Sequence, residues 1–405
     1  MKIAAIITEY NPFHKGHEYQ IKKTRELLGD DTAIIAIMSG NFTQRAELAI
    51  ADKTVRASAA VDSGVNLVLE LPFPYSMSSA EFFARAGVHI ANSLGIVDYL
   101  VFGSELGDTE KLFEIAKAMN SDEFSKRLRE LEESKEGETV GYPKMCEMAY
   151  SELFGECNFG DIFTPNNILA LEYIKALITF DSSISPLTIQ RVGAGYNDAL
   201  REQTDFQSAS AIREKMAEDI YSAFDYLPKT TNCAYSQAIS NGKMPSAPER
   251  LDLAVISSFR LNSPSANVDI HDAGGGLYNR LFAMCEGATS ISSLVSLTET
   301  KKYTNARIRR AIWNSYFGVT SSDVRTLPTY TQVLALDTVG RSLLQRIKKV
   351  SDFYVVTKPS SYKELPELTV RQKELCNKAD SIFGLALKNP NSRAFPITFT
   401  PYVKK

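Results

Sequence analysis

Thr8-Glu9-Tyr10-Asn11-Pro12-Phe13-His14-Lys15-Gly16-His17 follows a short apolar run, Lys2–Thr8, and its reading decides the fold. An Ile-rich run of this length reads as a buried strand. Pro12 turns the chain, and a helix is expected to begin near Lys15. A helix start offers backbone N–H groups and the positive end of its dipole to an anion. Gly16 removes a side chain, so a ligand can approach the backbone. The chain has four histidines, and two of them stand here in H-x-G-H spacing. Imidazoles can donate hydrogen bonds to phosphate oxygens in a partly dry cleft. The plainer reading, two surface histidines on a helix, leaves the strand end, the proline and the glycine unexplained.

Outward from this stretch, strand and helix signals alternate. Thr32–Ser39, Asn66–Leu71 and Val97–Gly103 are further short runs rich in Ile, Val and Leu. Such runs suit parallel strands buried on both faces. Helix-like stretches lie between them at about 15–28, 51–63 and 79–94. This pitch predicts βαβ units, with ligands bound at the carboxyl ends of the strands. Glu105–Glu138 holds 11 acidic and 6 basic residues, a local charge of −5, and reads as a solvated helical insertion. A helix at 165–180 and a strand at 187–192 follow. Ser208 or Ser210 can then cap another helix. Beyond about 220 the alternation fades, and helices are expected near 249–260, 275–285, 304–316 and 366–381. The expected fold is α/β: a Rossmann-like, parallel-sheet, nucleotide-handling domain over 1–220, with a helical insertion at about 108–160. A mainly α-helical domain over 221–405 follows it.

Composition narrows the class. The 405 residues include 44% apolar and 23% charged side chains, which suits a globular chain. No apolar run reaches the roughly 18 residues of a membrane span, and no signal-peptide cleavage site is apparent. Five scattered cysteines form no C-x-x-C pair, so a disulfide framework and structural zinc lack support and a cytoplasmic location is expected. The net charge of −3 argues against a uniformly basic nucleic-acid binder. Residues 301–350 break that average, with ten Lys/Arg against two acids, or +8. Lys301, Lys302, Tyr303, Arg307, Arg309 and Arg310 combine cations with an aromatic ring, which suits RNA phosphates and splayed bases.

Other positions are candidates by placement. Gly103 ends the fourth strand, where a nucleotide would sit. Arg191 ends a strand and can reach phosphates, and a surface salt bridge is the alternative. Asn166 stands at a helix start, where a capping role competes. Ser208, Ser210 and Arg213 form S-x-S-x-x-R at a helix start, a second anion site. Asp52, Lys53 and Arg56 share a helix, and an exposed charged face explains them as well as a site does.

These motifs resemble the H-x-G-H nucleotidyltransferase superfamily. ITEYNPFHKGH (7–17), MSGNFTQRAELAI with ADKTVRASAA (38–60), LVLELPFPYSMSSAEFFA (67–84), YLVFGSE (99–105), PNNILALEYIKAL (165–177), QRVGAGYND (190–198) and KKYTNARIRRAI (301–312) carry a closer resemblance. In that order they resemble the blocks of the bacterial tRNA(Met) cytidine acetate ligase family. Arg45-Ala46-Glu47-Leu48 departs from the Arg-Gly-Glu-Pro expected there. The resemblance implies that ATP activates acetate as acetyladenylate. The acetyl group then passes to the exocyclic amine of the wobble cytidine of elongator tRNA(Met). It implies catalytic roles for His14 and His17. It also implies an ATP site built from Ile7, Thr8, Glu9, Tyr10, Asn11, Pro12, Phe13, His14, Lys15, Gly16, His17, Glu18, Tyr19 and Gln20, with Gly103, Asn166 and Arg191. ATP with Mg²⁺, acetate and tRNA are the expected ligands, with neither DNA nor a membrane. Two rival readings are a small-molecule adenylyltransferase of cofactor synthesis and a non-catalytic RNA-binding protein.

Overall fold

The computed structural model describes residues 1–134, 140, 142–155, 162–191, 206–264, 269–358, 366–391 and 399–404. The apolar runs form β1 (Ile3–Thr8), β2 (Ala33–Ser39), β3 (Leu67–Leu71) and β4 (Tyr99–Ser104). They alternate with α1 (Lys15–Leu28), α2 (Lys53–Asp62) and α3 (Ala80–Ser93). The acidic segment supplies α4 (Thr109–Met119) and α5 (Asp122–Glu132), and α6 (Tyr142–Phe154) and α7 (Pro165–Thr179) lead to β5 (Ser185–Gln190). Leu112, Ile115, Ala116 and Met119 of α4 are buried in the main core, so only the outer face of this segment is solvated.

The strand order is β5-β4-β1-β2-β3, and these five strands are parallel. From β1 the chain winds through β2 and β3, then returns to place β4 on the other side of β1. The strand order therefore reverses between β1 and β4, and a crevice opens there at the carboxyl ends. The H-x-G-H loop and Gly103 both stand at that crevice.

Beyond residue 220 helices predominate: α8 (Ala209–Glu218) leads into α9 (Asn232–Ser240), α10 (Asp252–Leu261), α11 (Leu277–Cys285), α12 (Ile291–Thr298), α13 (Asn305–Phe317) and α14 (Ser321–Arg325). The same half also returns strands to the sheet. β6 (Tyr330–Leu336) pairs antiparallel with β3 and parallel with β7 (Tyr354–Val356) and β8 (Tyr402–Val403). α15 (Thr338–Val350) and α16 (Glu367–Phe383) complete the helices.

Three apolar clusters hold these layers. One covers the sheet face under α3, α7 and α15. A second covers the opposite face under α1, α2, α8 and α9. A third joins α10–α13 and α16 to Phe42, Phe73 and Met77 of the β2 and β3 loops, so the helical half rests directly on loops at the crevice edge. Among the described residues, no helix is long and apolar enough to cross a membrane.

Candidate active site

The chain leaves β1 through Tyr10, a non-glycine residue at φ 46°, and a cis Asn11–Pro12 bond. Three long-range contacts fix this loop. Asn11 Oδ1 accepts from Ile50 N (2.7 Å), Tyr235 Oη accepts from Phe13 N (2.8 Å), and Arg213 donates to Asn11 O (3.0 Å).

His14 is the N-cap of α1 and is buried. Its Nδ1 accepts from Gly16 N (3.0 Å), while His17 Nδ1 accepts from His14 N (3.2 Å). An accepting Nδ1 carries no proton, so each neutral ring carries its proton on Nε2. The rings stack with centroids 3.8 Å apart. Two Nε2–H donors are thus set side by side. The N–H groups of Phe13, His14, Gly16 and His17 bond to protein acceptors. The donors left over at this helix start are therefore the imidazoles more than the backbone groups expected from the sequence. Gly16 also has a nearer reason than ligand access: a Cβ there would come within 2.8 Å of His14 Cε1.

Both imidazoles are held neutral. Burial, helped by the fields of Arg191 and Arg213, pushes His14 down to about 3. Burial also takes His17 well below its usual value, with His14 and Arg191 adding to the effect. In the unfolded chain each histidine takes up a proton near pH 6.5. Between that pH and the folded pKa the unfolded state binds more protons, so stability falls as pH falls. The slope is up to about 1.4 kcal/mol per pH unit for each histidine. His14→Asn keeps an N-cap residue and removes one titration. Urea unfolding at pH 7 and pH 5 should show a smaller acid loss in the variant than in wild type. Equal losses would contradict the neutral imidazole.

The other expected residues converge on the same edge. Gly103 faces Arg191, whose Cγ would lie 3.3 Å from a Cβ at position 103. Arg191 Nη1 donates to Asn166 Oδ1 (3.3 Å), and Asn166 Nδ2 donates to Glu105 (2.6 Å). Asn166 is not the N-cap of α7; that place belongs to Thr164. Glu105 Oε2 instead caps the helix by accepting from Asn167 N (3.0 Å), which leaves Asn166 directed at Arg191. Ser208 caps α8, accepting from Ala211 N, and Arg213 Nη2 bonds Ser210 Oγ (3.3 Å). The hydrogen bond from Arg213 Nη1 to Asn11 O (3.0 Å) places the S-x-S-x-x-R helix against the H-x-G-H loop. Residues 192–198 of the QRVGAGYND block lie outside the described residues.

Asp52, Lys53 and Arg56 do not form an exposed face; all three are buried. Arg56 donates to Glu9 O (2.6 Å), Ser39 O (3.2 Å) and Gly40 O. It ties together the chain leaving β1 and β2 beneath the crevice. Lys53 Nζ lies 2.6 Å from both Glu70 and Asp380. Ala46, where a glycine was expected, adopts φ 56°, in the left-handed region that favours glycine.

The basic block divides. Tyr303 is buried and bonds Gly275 O; Arg307 donates to Asp272 O (3.1 Å) and Gly274 O (3.0 Å); Arg310 pairs with Asp272 (2.6 Å). These three hold the 272–275 loop. Lys301 and Lys302 are exposed. Arg309 reaches Glu47 in the β2–α2 loop (3.0 Å).

A protein-family model described as HIGH Nucleotidyl Transferase matches residues 1–395. The tRNA(Met) cytidine acetate ligase of Acetivibrio thermocellus is 35% identical over 413 residues, covering 99% of each chain. That of Clostridium novyi is 38% identical over 369 residues, covering 88% of this chain and 90% of the relative. Among solved structures, Thermotoga maritima TmcAL bound with alpha-thio ATP superposes with a TM-score of 0.89 at 31% identity, covering 100% of this chain and 99% of that one. The chain belongs to the tRNA(Met) cytidine acetate ligase family, within the HIGH nucleotidyl transferases.

Proposed function

We propose that this chain is a cytoplasmic ATP-dependent ligase that activates acetate as acetyladenylate and acetylates the wobble cytidine of elongator tRNA(Met). The observation that carries the reading is the pair of Nε2–H donors on neutral His14 and His17, flanked by Arg191 and Arg213 at the strand-order reversal. An acetate oxygen attacks the α-phosphorus of ATP, and pyrophosphate leaves. The imidazole donors and the Arg213 helix start stabilise the charge that develops. Because they are fixed by the fold, they need no reorganisation as the reaction proceeds. The cytidine amine then attacks the mixed anhydride, AMP leaves, and no covalent enzyme intermediate forms.

Mg²⁺ would travel with the nucleotide phosphates, as is usual for that ion. Among the described residues, Glu70, Cys376 and Asp380 are the one group with atoms close enough to share a metal. They do not fit one, because Lys53 Nζ already lies between the two carboxylates. No step is routed through them.

RNA contacts fall to Lys301 and Lys302 and, farther along the same basic segment, to α15. Gly340, Leu343 and Ile347 of α15 are buried, while Arg341, Arg346, Lys348 and Lys349 are exposed. Among the described residues none of these four pairs with an acid, which leaves them for RNA phosphates.

A small-molecule adenylyltransferase would use the same loop but has no use for this basic face. AMP release from labelled ATP separates the two. It should require both acetate and tRNA, whereas labelled AMP retained in a dinucleotide, with pyrophosphate as the leaving group and no free AMP, would favour the adenylyltransferase.

A further inference from the structure

Arg309 comes from the half of the chain expected to meet RNA, yet its guanidinium bonds Glu47 in the β2–α2 loop, the carboxylate that also holds Arg213 beside the H-x-G-H loop. Glu47 accepts from both sides: Oε1 from Arg309 Nη1 (3.0 Å) and Oε2 from Arg213 Nη2 (3.3 Å). Arg213 in turn bonds Asn11 O in the H-x-G-H loop. One carboxylate therefore holds two guanidiniums, one from each half of the chain, beside the crevice.

The arrangement is accessible. Arg309 and Glu47 each keep 36% side-chain exposure and Arg213 keeps 22%. Exposed pairs of this kind are weak and readily exchanged. The neighbouring arginines of α13 are committed elsewhere, Arg307 and Arg310 to the 272–274 loop. Arg309 alone of the three points at Glu47. A polyphosphate presents more charge and more acceptor oxygens than one carboxylate, in the geometry that guanidinium forks match.

We propose that Arg309 is a second phosphate-binding arginine of the nucleotide site, held beside Arg213 by Glu47 until the polyphosphate of ATP takes that carboxylate's place. The proposal rests on the reading of the H-x-G-H loop as an ATP site. It makes the helical half a contributor to adenylation itself, before any RNA arrives. Glu47 is then a positioning residue.

Equilibrium binding of ATP alone, with acetate-dependent pyrophosphate exchange in the absence of tRNA, tests it on the full chain. Arg309→Ala should weaken ATP binding and raise the KM for ATP by about tenfold to a hundredfold, the range for loss of a charge-assisted hydrogen bond. The KM for acetate should stay unchanged. Arg309→Lys should recover part of the loss. Glu47→Gln should bind ATP at least as tightly as wild type. Affinity for tRNA without ATP should hold in Arg309→Ala. An unchanged ATP affinity in Arg309→Ala overturns the proposal, and a fall in tRNA affinity alone would assign the residue to RNA. Failure of wild type to bind ATP would instead overturn the reading of the site.

Discussion

Replacing His17 with alanine is expected to lower acetate-dependent pyrophosphate exchange by about 10²–10³-fold, the usual cost of one preorganised donor. His14→Ala should cost at least as much. It removes one donor, the N-cap of α1, and the ring whose stacking orients the other. Burial keeps both rings neutral, so they act as fixed dipoles rather than as cations. Both variants should bind tRNA as wild type does, because the exposed cations of α15 are untouched. Exchange at wild-type rate in either variant would refute the role given to the pair.

The second large effect concerns stability. Lys53, Glu70 and Asp380 form a buried cluster joining α2, β3 and α16, and Asn41 Nδ2 donates to the second oxygen of Asp380 (2.9 Å). Burial pulls the lysine pKa down, but the two carboxylates pull it up and prevail, so Lys53 stays charged. A lysine pKa raised by folding adds stability that is present below about pH 10.4 and is lost as pH climbs through the folded value. Lys53→Met leaves two carboxylates without their cation in the interior. Removing one partner of a buried pair costs about 3–5 kcal/mol. Urea unfolding at pH 7 should show that loss, and a combined Lys53→Met, Glu70→Met, Asp380→Leu variant should recover much of it. A loss below about 1 kcal/mol in the single variant, a magnitude typical of exposed pairs, would contradict a dry cluster.

The contrast between these two sites shows what one chain of residues discloses. The H-x-G-H loop is legible because its parts are contiguous: strand, turn, cap and glycine within ten positions. β1 to β4 are legible because strands buried on both faces read as apolar runs. The role of Lys53 is not legible. Its helical spacing from Asp52 and Arg56 fits an exposed face, and the group that decides otherwise, Asp380, arrives more than three hundred residues later. β6 hides for a related reason. Thr331 and Gln332 break its apolar run, and both are buried by pairing with distant segments. The basic block misleads in a third way. Counting charge from 301 to 350 does not separate arginines bound to backbone carbonyls at 272 and 274 from the solvated face of α15. Only the fold sorts anchoring cations from presenting ones. A hint at Glu47 existed in the expected Arg-Gly-Glu-Pro block, but nothing local indicates two arginines converging on it.

The most direct test of the account is to incubate the protein with ATP, isotopically labelled acetate and total tRNA, then digest the RNA and analyse its nucleosides by mass spectrometry. Labelled N4-acetylcytidine is expected, formed only when ATP and acetate are both present and confined to elongator tRNA(Met). Consumption of ATP with no acetylated nucleoside would contradict it.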